Sequence, residues 1–427
     1  MKCNDRQINA VWSRWASRLL IAISIISSAS AVAGNREQAK RMHDRLTGTI
    51  ATNAMLDNMV ALMDNTAPGY VAAAREAIKN NPAFYNVTLK NFAAPWTNED
   101  QTVFVPLNDY TATVIGLIRD SDTETKAAAS ALHDFHEVLY GDVVYTGGGA
   151  VATAFSASNN THYEELERTD LKATLIENAQ SSLTSLPAAA TAGVITSRAA
   201  SEAFFSAGTN RAMFRFTLMN HFCTDMEPLQ DISRVPDKVR RDVSRSPGGD
   251  SRIFMNSCVG CHAGMDGMLL AYAYYDFNIA TGVLDYKTNT ALISNPDGAD
   301  FPNPNNVVVK FNHNETNFKY GYVARDDGWI NYWRNGQNSL LGWYNNTVLD
   351  ADGHSSGNGA KSLGMEMART NAFDSCQVKK AFKAVCLRDS DSFAADRSEV
   401  NRIAGLFKAD GNMINVFAEV AAYCKGQ

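Results

Sequence analysis

Apolar positions recur at helical spacing over most of the chain. In 36–64 they fall at Met42, Leu46, Ile50, Met55, Met59, Leu62 and Met63, with Pro68 beyond the end, and predict one helix whose methionines fill a core. The same spacing predicts helices over 69–80, stopped by Asn81-Pro82, and over 110–119, 123–139, 163–175 and 199–219. An apolar-aromatic run at Val143, Val144 and Tyr145 leads into a turn at Gly147-Gly148-Gly149. Strand signals are sparse, with 306–311 (NVVVKF) the best, and the three prolines in 295–305 mark a loop. The Arg-rich stretch 234–252, with Pro236 and Pro247-Gly248-Gly249, reads as an exposed connection. Helical periodicity returns at 361–369, 376–386, 398–407 and 413–423, a small C-terminal bundle. The expected fold class is mainly α.

The first 33 residues have another character. Lys2, Arg6, Arg14 and Arg18 precede a short apolar run over 19–26, and 29–33 (ASAVA) offers small residues at cleavage spacing, as in a secretory signal peptide. No later stretch reaches the roughly 18 apolar residues of a membrane helix, so no transmembrane segment is expected after signal removal. Removing four basic residues and one acidic one would take the formal charge from −6 to −9. That balance argues against nucleic-acid binding and leaves partner proteins as the expected contacts. Cys3 would leave with the signal, and among the other six of the seven cysteines Cys223, Cys376, Cys386 and Cys424 form an even set suited to an oxidising compartment. Three pairings are possible for these four; the one expected is Cys386 with Cys424, clamping C-terminal helices, and Cys223 with Cys376.

The most specific chemistry lies at 258–262, which reads CVGCH. Two thiols at this spacing add across the vinyl groups of a haem, and the next residue coordinates its iron. Cys258 and Cys261 are therefore the expected attachment points of one covalent haem c, with His262 the proximal ligand. Half of a zinc site is the alternative, but no other cysteine lies two to four residues from another. Export and covalent haem attachment support each other, because in bacteria the attachment occurs outside the inner membrane. The expected location is periplasmic or secreted.

Haem chemistry turns on the other face of the iron. Met265 and Met268 follow His262 too closely to reach it and are expected to pack beside the porphyrin. Met365 and Met367 are the candidate distal ligands, their alternative being helix core; a thioether favours ferrous iron and raises the potential. His313 and His354, in loop-like surroundings, would give a lower potential, and a disulfide at Cys223 would bring His221 near. His133 and His136, three apart on the predicted helix 123–139, read as a solvated face rather than a second metal site. His43 and His162 carry no distinguishing context. Trp329, Tyr332, Trp333, Arg334, Trp343 and Tyr344 are expected to line or shield the ring, with Arg334 available to a propionate.

The run 254–277 (FMNSCVGCHAGMDGMLLAYAYYDF) resembles the haem-binding core of the planctomycete-type cytochrome c domain proteins, through CVGCH, the Asp266-Gly267 turn and the apolar helix ending at Tyr275-Asp276. The segment 41–48 (RMHDRLTG) is similar to an N-terminal helix of those proteins, and 373–382 with Cys386 and Cys424 is similar to their C-terminal helical region. The resemblance implies an exported mono-haem protein with a helical cytochrome c-like haem domain. A mono-haem domain needs roughly 100 residues. The chain accordingly divides into a signal (1–33), a mostly helical N-terminal region (34–230), and a haem domain with its C-terminal helices (231–427).

Two functions fit this pattern. The first is an electron carrier with a six-coordinate haem, passing single electrons between redox partner proteins. The second is an enzyme with an open distal site, peroxidase- or oxygenase-like, which would need a polar group to move protons. No GxSxG, HExxH or phosphate-loop motif competes with CVGCH and no catalytic residue stands out, and a carrier is expected ahead of a catalyst because a covalently tethered haem c most often holds two protein axial ligands.

Overall fold

Polar caps set where the helices begin. In the computed structural model, which describes residues 34–206, 210–286, 292–293, 301–302, 307 and 318–426, helix α1 (Asn35–Thr47) runs to Gly48. There the chain turns left-handed at φ 67°. The Thr52 hydroxyl then accepts the Met55 amide and starts α2 (Asn53–Leu62). The single helix expected over 36–64 is thus two, split at the one residue that takes positive φ without strain. Thr66 caps α3 (Ala67–Asn80), Asn108 caps α4 (Asp109–Asp120), and Thr370 and Asn412 cap the later helices Asn371–Cys386 and Met413–Tyr423, each through its side-chain oxygen.

The helix expected over 123–139 does not form. Asp120, fully buried, accepts the Arg119 guanidinium (2.7 and 2.8 Å), the Tyr145 hydroxyl (2.7 Å) and the Ala127 amide (2.9 Å). That last bond takes a donor a continuing helix would need, and the chain folds into turns before a short 3-10 turn at Phe135–Leu139. Likewise 163–175 is two short helices, Thr161–Leu166 and Leu171–Thr174, the second capped by Asp170. Helices α5 (Arg198–Phe204) and α6 (Arg211–Phe222) replace the single helix expected over 199–219.

A wide π-type turn, Phe254–Cys258, leads into α7 (Val259–Met268), and α8 (Gly359–Ala368), α9 (Asn371–Cys386), α10 (Ala394–Asp410) and α11 (Met413–Tyr423) complete the chain. Four antiparallel two-stranded sheets interrupt the helices: β1 (Val144–Thr146) with β2 (Ile176–Asn178), β3 (Tyr275–Asn278) with β4 (Val283–Tyr286), β5 (Leu292–Ile293) with β6 (Phe301–Pro302), and β7 (Gly328–Asn331) with β8 (Ser355–Asn358). The protein is mainly helical, as its periodicity predicts. The segment 1–33 expected to be a signal peptide, His313, the strand expected at 306–311 apart from Val307, and the 295–305 loop apart from β6 lie outside the described residues.

One apolar core runs from Ala39 to Cys424, so residues from both sides of position 230 contribute to it. Helix α11 packs on α3 and α9, and Phe417 meets Phe84 and Phe92 edge-on at 5.2 and 5.3 Å. Both expected disulfides are present, Cys223–Cys376 and Cys386–Cys424. No helix among the described residues is long and apolar enough to cross a membrane.

Candidate functional site at the CVGCH helix

Helix α7 carries the motif with one face packed and one open. Gly260, Gly264 and Gly267 form the packed face: a Cβ on Gly264 would run into the indole nitrogen of Trp333, one on Gly267 would lie 3.0 Å from the Ile330 carbonyl, and one on Gly260 3.1 Å from Gln230. Glycine at these positions lets the helix lie directly on Trp333, which is completely buried, and on β7. Met255, Cys258 and His262 stand three and four residues apart, and so share the other face. There Met255 is 55% exposed, and Cys258, Cys261 and His262 are half-buried. Cys258 and Cys261 are both free thiols. Cys261 points its sulfur toward the Met226 carbonyl at 3.8 Å, and burial, then Glu227 and Asp225, push its thiol pKa up.

His262 is oriented by a buried carboxylate. Its Nδ1 lies 3.1 Å from Oδ1 of Asp266, one turn further along α7. Among the described residues Nε2 makes no hydrogen bond. Asp266 is fully buried and is itself gripped by Arg211 of α6, Nε to Oδ1 and Nη2 to Oδ2 both at 3.0 Å. Arg211 reaches on to Asp242 at 2.6 and 3.0 Å. Burial alone would raise the Asp266 pKa, but the Arg211 charge and the His262 hydrogen bond outweigh it and hold the carboxyl well below the usual range. The same two carboxylates raise Arg211 above its ordinary value against the pull of burial.

This network also corrects the reading of 234–252. Arg240 and Arg241 are completely buried, not exposed, because the chain there closes over the acid cluster: the Arg240 amide faces Asp266 at 3.4 Å and its guanidinium faces Asp242 at 3.4 Å. Burial and the neighbouring Arg211 lower the Arg240 pKa to about 10. Arg245 lies over the rings of Phe254 and Phe318 at 4.7 and 4.4 Å.

The other candidates separate clearly. Met367 is wholly buried in the central core and Met365, on the same helix, is 39% exposed; Met265 and Met268 are buried in that core as well. His221 is completely buried, with Nε2 2.9 Å from the Tyr110 hydroxyl and its ring stacked on Phe373, and burial drives its pKa well down. His43 (Nε2 to Asn81, 3.1 Å; Nδ1 to Asp44, 3.5 Å) and His162 (Nε2 to the Gly147 amide, 2.9 Å) are interior side chains held by their neighbours. His354 sits in a turn with Nδ1 3.2 Å from Asp350, its ring edge-on to Tyr332, beside a 510 Å³ cavity that Asp231 and Arg234 also line. His133 and His136 are not a solvated helical face. His133 faces Glu137 and Glu177, while His136 is completely buried between Asp134 and Asp374. Among the described residues no three His, Cys, Asp or Glu side chains are grouped to hold a metal ion.

Trp333 and Tyr332 of the aromatic segment pack against α7, at Gly264 and Gly267. Trp333 lies against Gly264, Trp343 donates to the Trp333 carbonyl (3.1 Å), Trp329 donates to Ser362 (2.8 Å), and Tyr344 donates to Asp374 (3.1 Å). Arg334 is held by the buried Glu366 at 2.7 and 2.9 Å, an ion pair that occupies the guanidinium expected for a propionate. Asp266, Arg211 and Asp242 are the site residues that motif reading misses. Their one sequence signal is an aspartate four residues after the histidine, one helical turn away.

The donor set fits a covalent haem. A ligating histidine needs Nδ1 satisfied by a neighbour and Nε2 bare. His262 meets both conditions, with two free thiols on the same segment and apolar Met255 beside them. Comparison of the chain with protein-family models, with curated proteins and with solved structures returns no match.

Proposed function

We propose that this chain is an exported c-type cytochrome, of the kind its CVGCH segment resembles. One haem is attached through Cys258 and Cys261, His262 supplies the proximal nitrogen, and single electrons pass between periplasmic or extracellular redox partners. The observation that carries the reading is the His262–Asp266–Arg211 arrangement: a partly exposed imidazole whose Nδ1 is fixed by a buried ionised carboxylate and whose Nε2 is left for a metal. Two disulfides suit an oxidising compartment.

The bound haem supplies a one-electron couple at its iron. The residues set its conditions. Asp266 accepts the Nδ1 proton, fixes the tautomer and makes Nε2 a stronger donor, which lowers the potential. Arg211 keeps Asp266 ionised and in place. The glycine face seats α7 against Trp333, so the imidazole stands on a rigid support.

A second reading, a haem enzyme with an open distal site, is favoured by two features. The proximal partner is a carboxylate, which stabilises oxidised iron, and Met367 is packed in the core. Visible spectra of the purified protein, oxidised and reduced, with and without carbon monoxide, test the proposal. A low-spin spectrum indifferent to carbon monoxide supports the carrier, with a sulfur-to-iron charge-transfer band if Met365 or Met367 closes the site. High-spin iron that binds carbon monoxide supports the enzyme, and a colourless protein from a haem-attaching host refutes both.

A further inference from the structure

The two disulfides differ in a way that goes beyond haem chemistry. Cys386 and Cys424 are both buried in the core. In the other pair Cys376 is buried, but Cys223 is exposed and lines a cavity of about 450 Å³. Cys223 sits at the end of α6 with φ 53°, a left-handed conformation that a side chain other than glycine holds at some cost. Lys379, Lys380 and Lys383 follow Cys376 on α9 by three, four and seven residues, so they share its face, and all three line the same cavity. Lys379 is paired with Asp391 at 3.2 Å, while the exposed Lys383 side chain has no partner among the described residues.

We infer that Cys223–Cys376 is a redox-labile disulfide whose cavity admits an external thiol. The thiolate of a dithiol reductant attacks Sγ of Cys223, the sulfur it can reach; the S–S bond breaks and Cys376 leaves as a thiolate. The second thiol of the reductant then attacks the mixed disulfide and releases Cys223. The reductant is oxidised to its disulfide and the protein gains two electrons and two protons. Asp225, Asp389 and Asp391 line the cavity too, Lys379 is paired with Asp391 and Lys380 donates to the Asn220 carbonyl, so Lys383 is the cation left to stabilise a thiolate there.

Opening this bond matters to the motif helix. The chain after Cys223 runs straight to α7, where the Met226 carbonyl meets the Cys261 thiol at 3.8 Å and the Asp231 amide donates to the Gly260 carbonyl at 3.0 Å. The disulfide ties the start of this strap to α9. Its reduction frees the strap while the buried second disulfide holds the C-terminal helices.

The test is a redox titration of the full-length exported protein in dithiothreitol and, separately, glutathione buffers. Each point is quenched by alkylation and read by peptide mass spectrometry, with near-UV circular dichroism followed in parallel. Thiols labelled before any reductant is added are assigned first, so the result does not depend on whether Cys258 and Cys261 carry haem. Cys223 and Cys376 are expected to be labelled while Cys386 and Cys424 stay closed and the dichroism is unchanged. The Asp231 amide should then exchange hydrogen faster, and Lys383→Glu should slow the opening several-fold. Simultaneous opening of both disulfides, prior opening of Cys386–Cys424, or opening only with loss of near-UV dichroism would each overturn the inference. An unchanged opening rate in Lys383→Glu would remove the part assigned to Lys383.

Discussion

His136 and His262 both rest against buried carboxylates, yet they differ in what their second ring nitrogen meets. His136 is completely buried, with Nδ1 on Asp134 and Nε2 on Asp374 (2.8 Å), so both ring nitrogens are spent inside the protein. Phe407 stacks on its ring at 4.9 Å. His262 spends Nδ1 on Asp266 and keeps Nε2 bare at a partly exposed face. A histidine with two carboxylate partners is a cationic bridge that holds elements together. A histidine with one keeps a nitrogen available, as the proposed ligand role of His262 requires. The contrast teaches that a carboxylate beside an imidazole does not by itself mark a site, since His136 has two.

Removing the imidazole separates the two most sharply. His136→Ala leaves Asp374 buried without its cation and is expected to cost about 3–5 kcal/mol, read as a lower midpoint in urea unfolding. The same site gives a pH signature. Burial opposes protonation of His136, but Asp134 and Asp374 outweigh it and raise the pKa above 6.5. The folded protein therefore holds this proton more tightly than the unfolded chain. Its contribution is complete below about pH 6.5 and disappears as pH rises through the folded value. Unfolding midpoints measured from pH 6 to 9 should fall across that window, and His136→Gln should flatten the fall.

The support beneath His262 is the next most sensitive point. Gly264→Ala pushes a methyl group into Trp333, with an expected cost of about 1–3 kcal/mol and a changed tryptophan fluorescence. His262→Ala in protein made without haem should cost only about 1 kcal/mol, one hydrogen bond, because Arg211 still satisfies Asp266. If His262→Ala proved as destabilising as His136→Ala, the distinction between bridge and ligand would fail. Asp266→Asn sharpens the account further: in the haem-loaded protein its midpoint potential should rise, since the amide is a weaker partner for Nδ1.

The sequence makes some of this legible and hides the rest for physical reasons. Helices with a strong apolar stripe and a polar cap, such as α3, α4 and α11, appear nearly where periodicity places them. An even set of cysteines implies two disulfides, but which of three pairings forms is decided by the fold. The helix expected over 123–139 fails because Asp120 diverts the Ala127 amide, a tertiary bond that no local pattern reveals. Arg240 and Arg241 look like surface residues in composition, yet both are buried, Arg240 against Asp242 two residues on and Asp266 twenty-six residues on. At the site, CVGCH is visible in the sequence but its support is not. Arg211 precedes Asp266 by 55 residues, and only the fold brings them to 3.0 Å.

The central claim is that 258–262 carries a covalent haem. Intact-mass spectrometry under denaturing conditions, on protein exported from a haem-attaching host, tests it most directly. The account requires a mass increment of one haem that localises to the peptide containing Cys258 and Cys261 and is lost in the Cys258→Ala, Cys261→Ala double variant. A mass equal to that of the bare polypeptide, with both thiols free to alkylate, would contradict it.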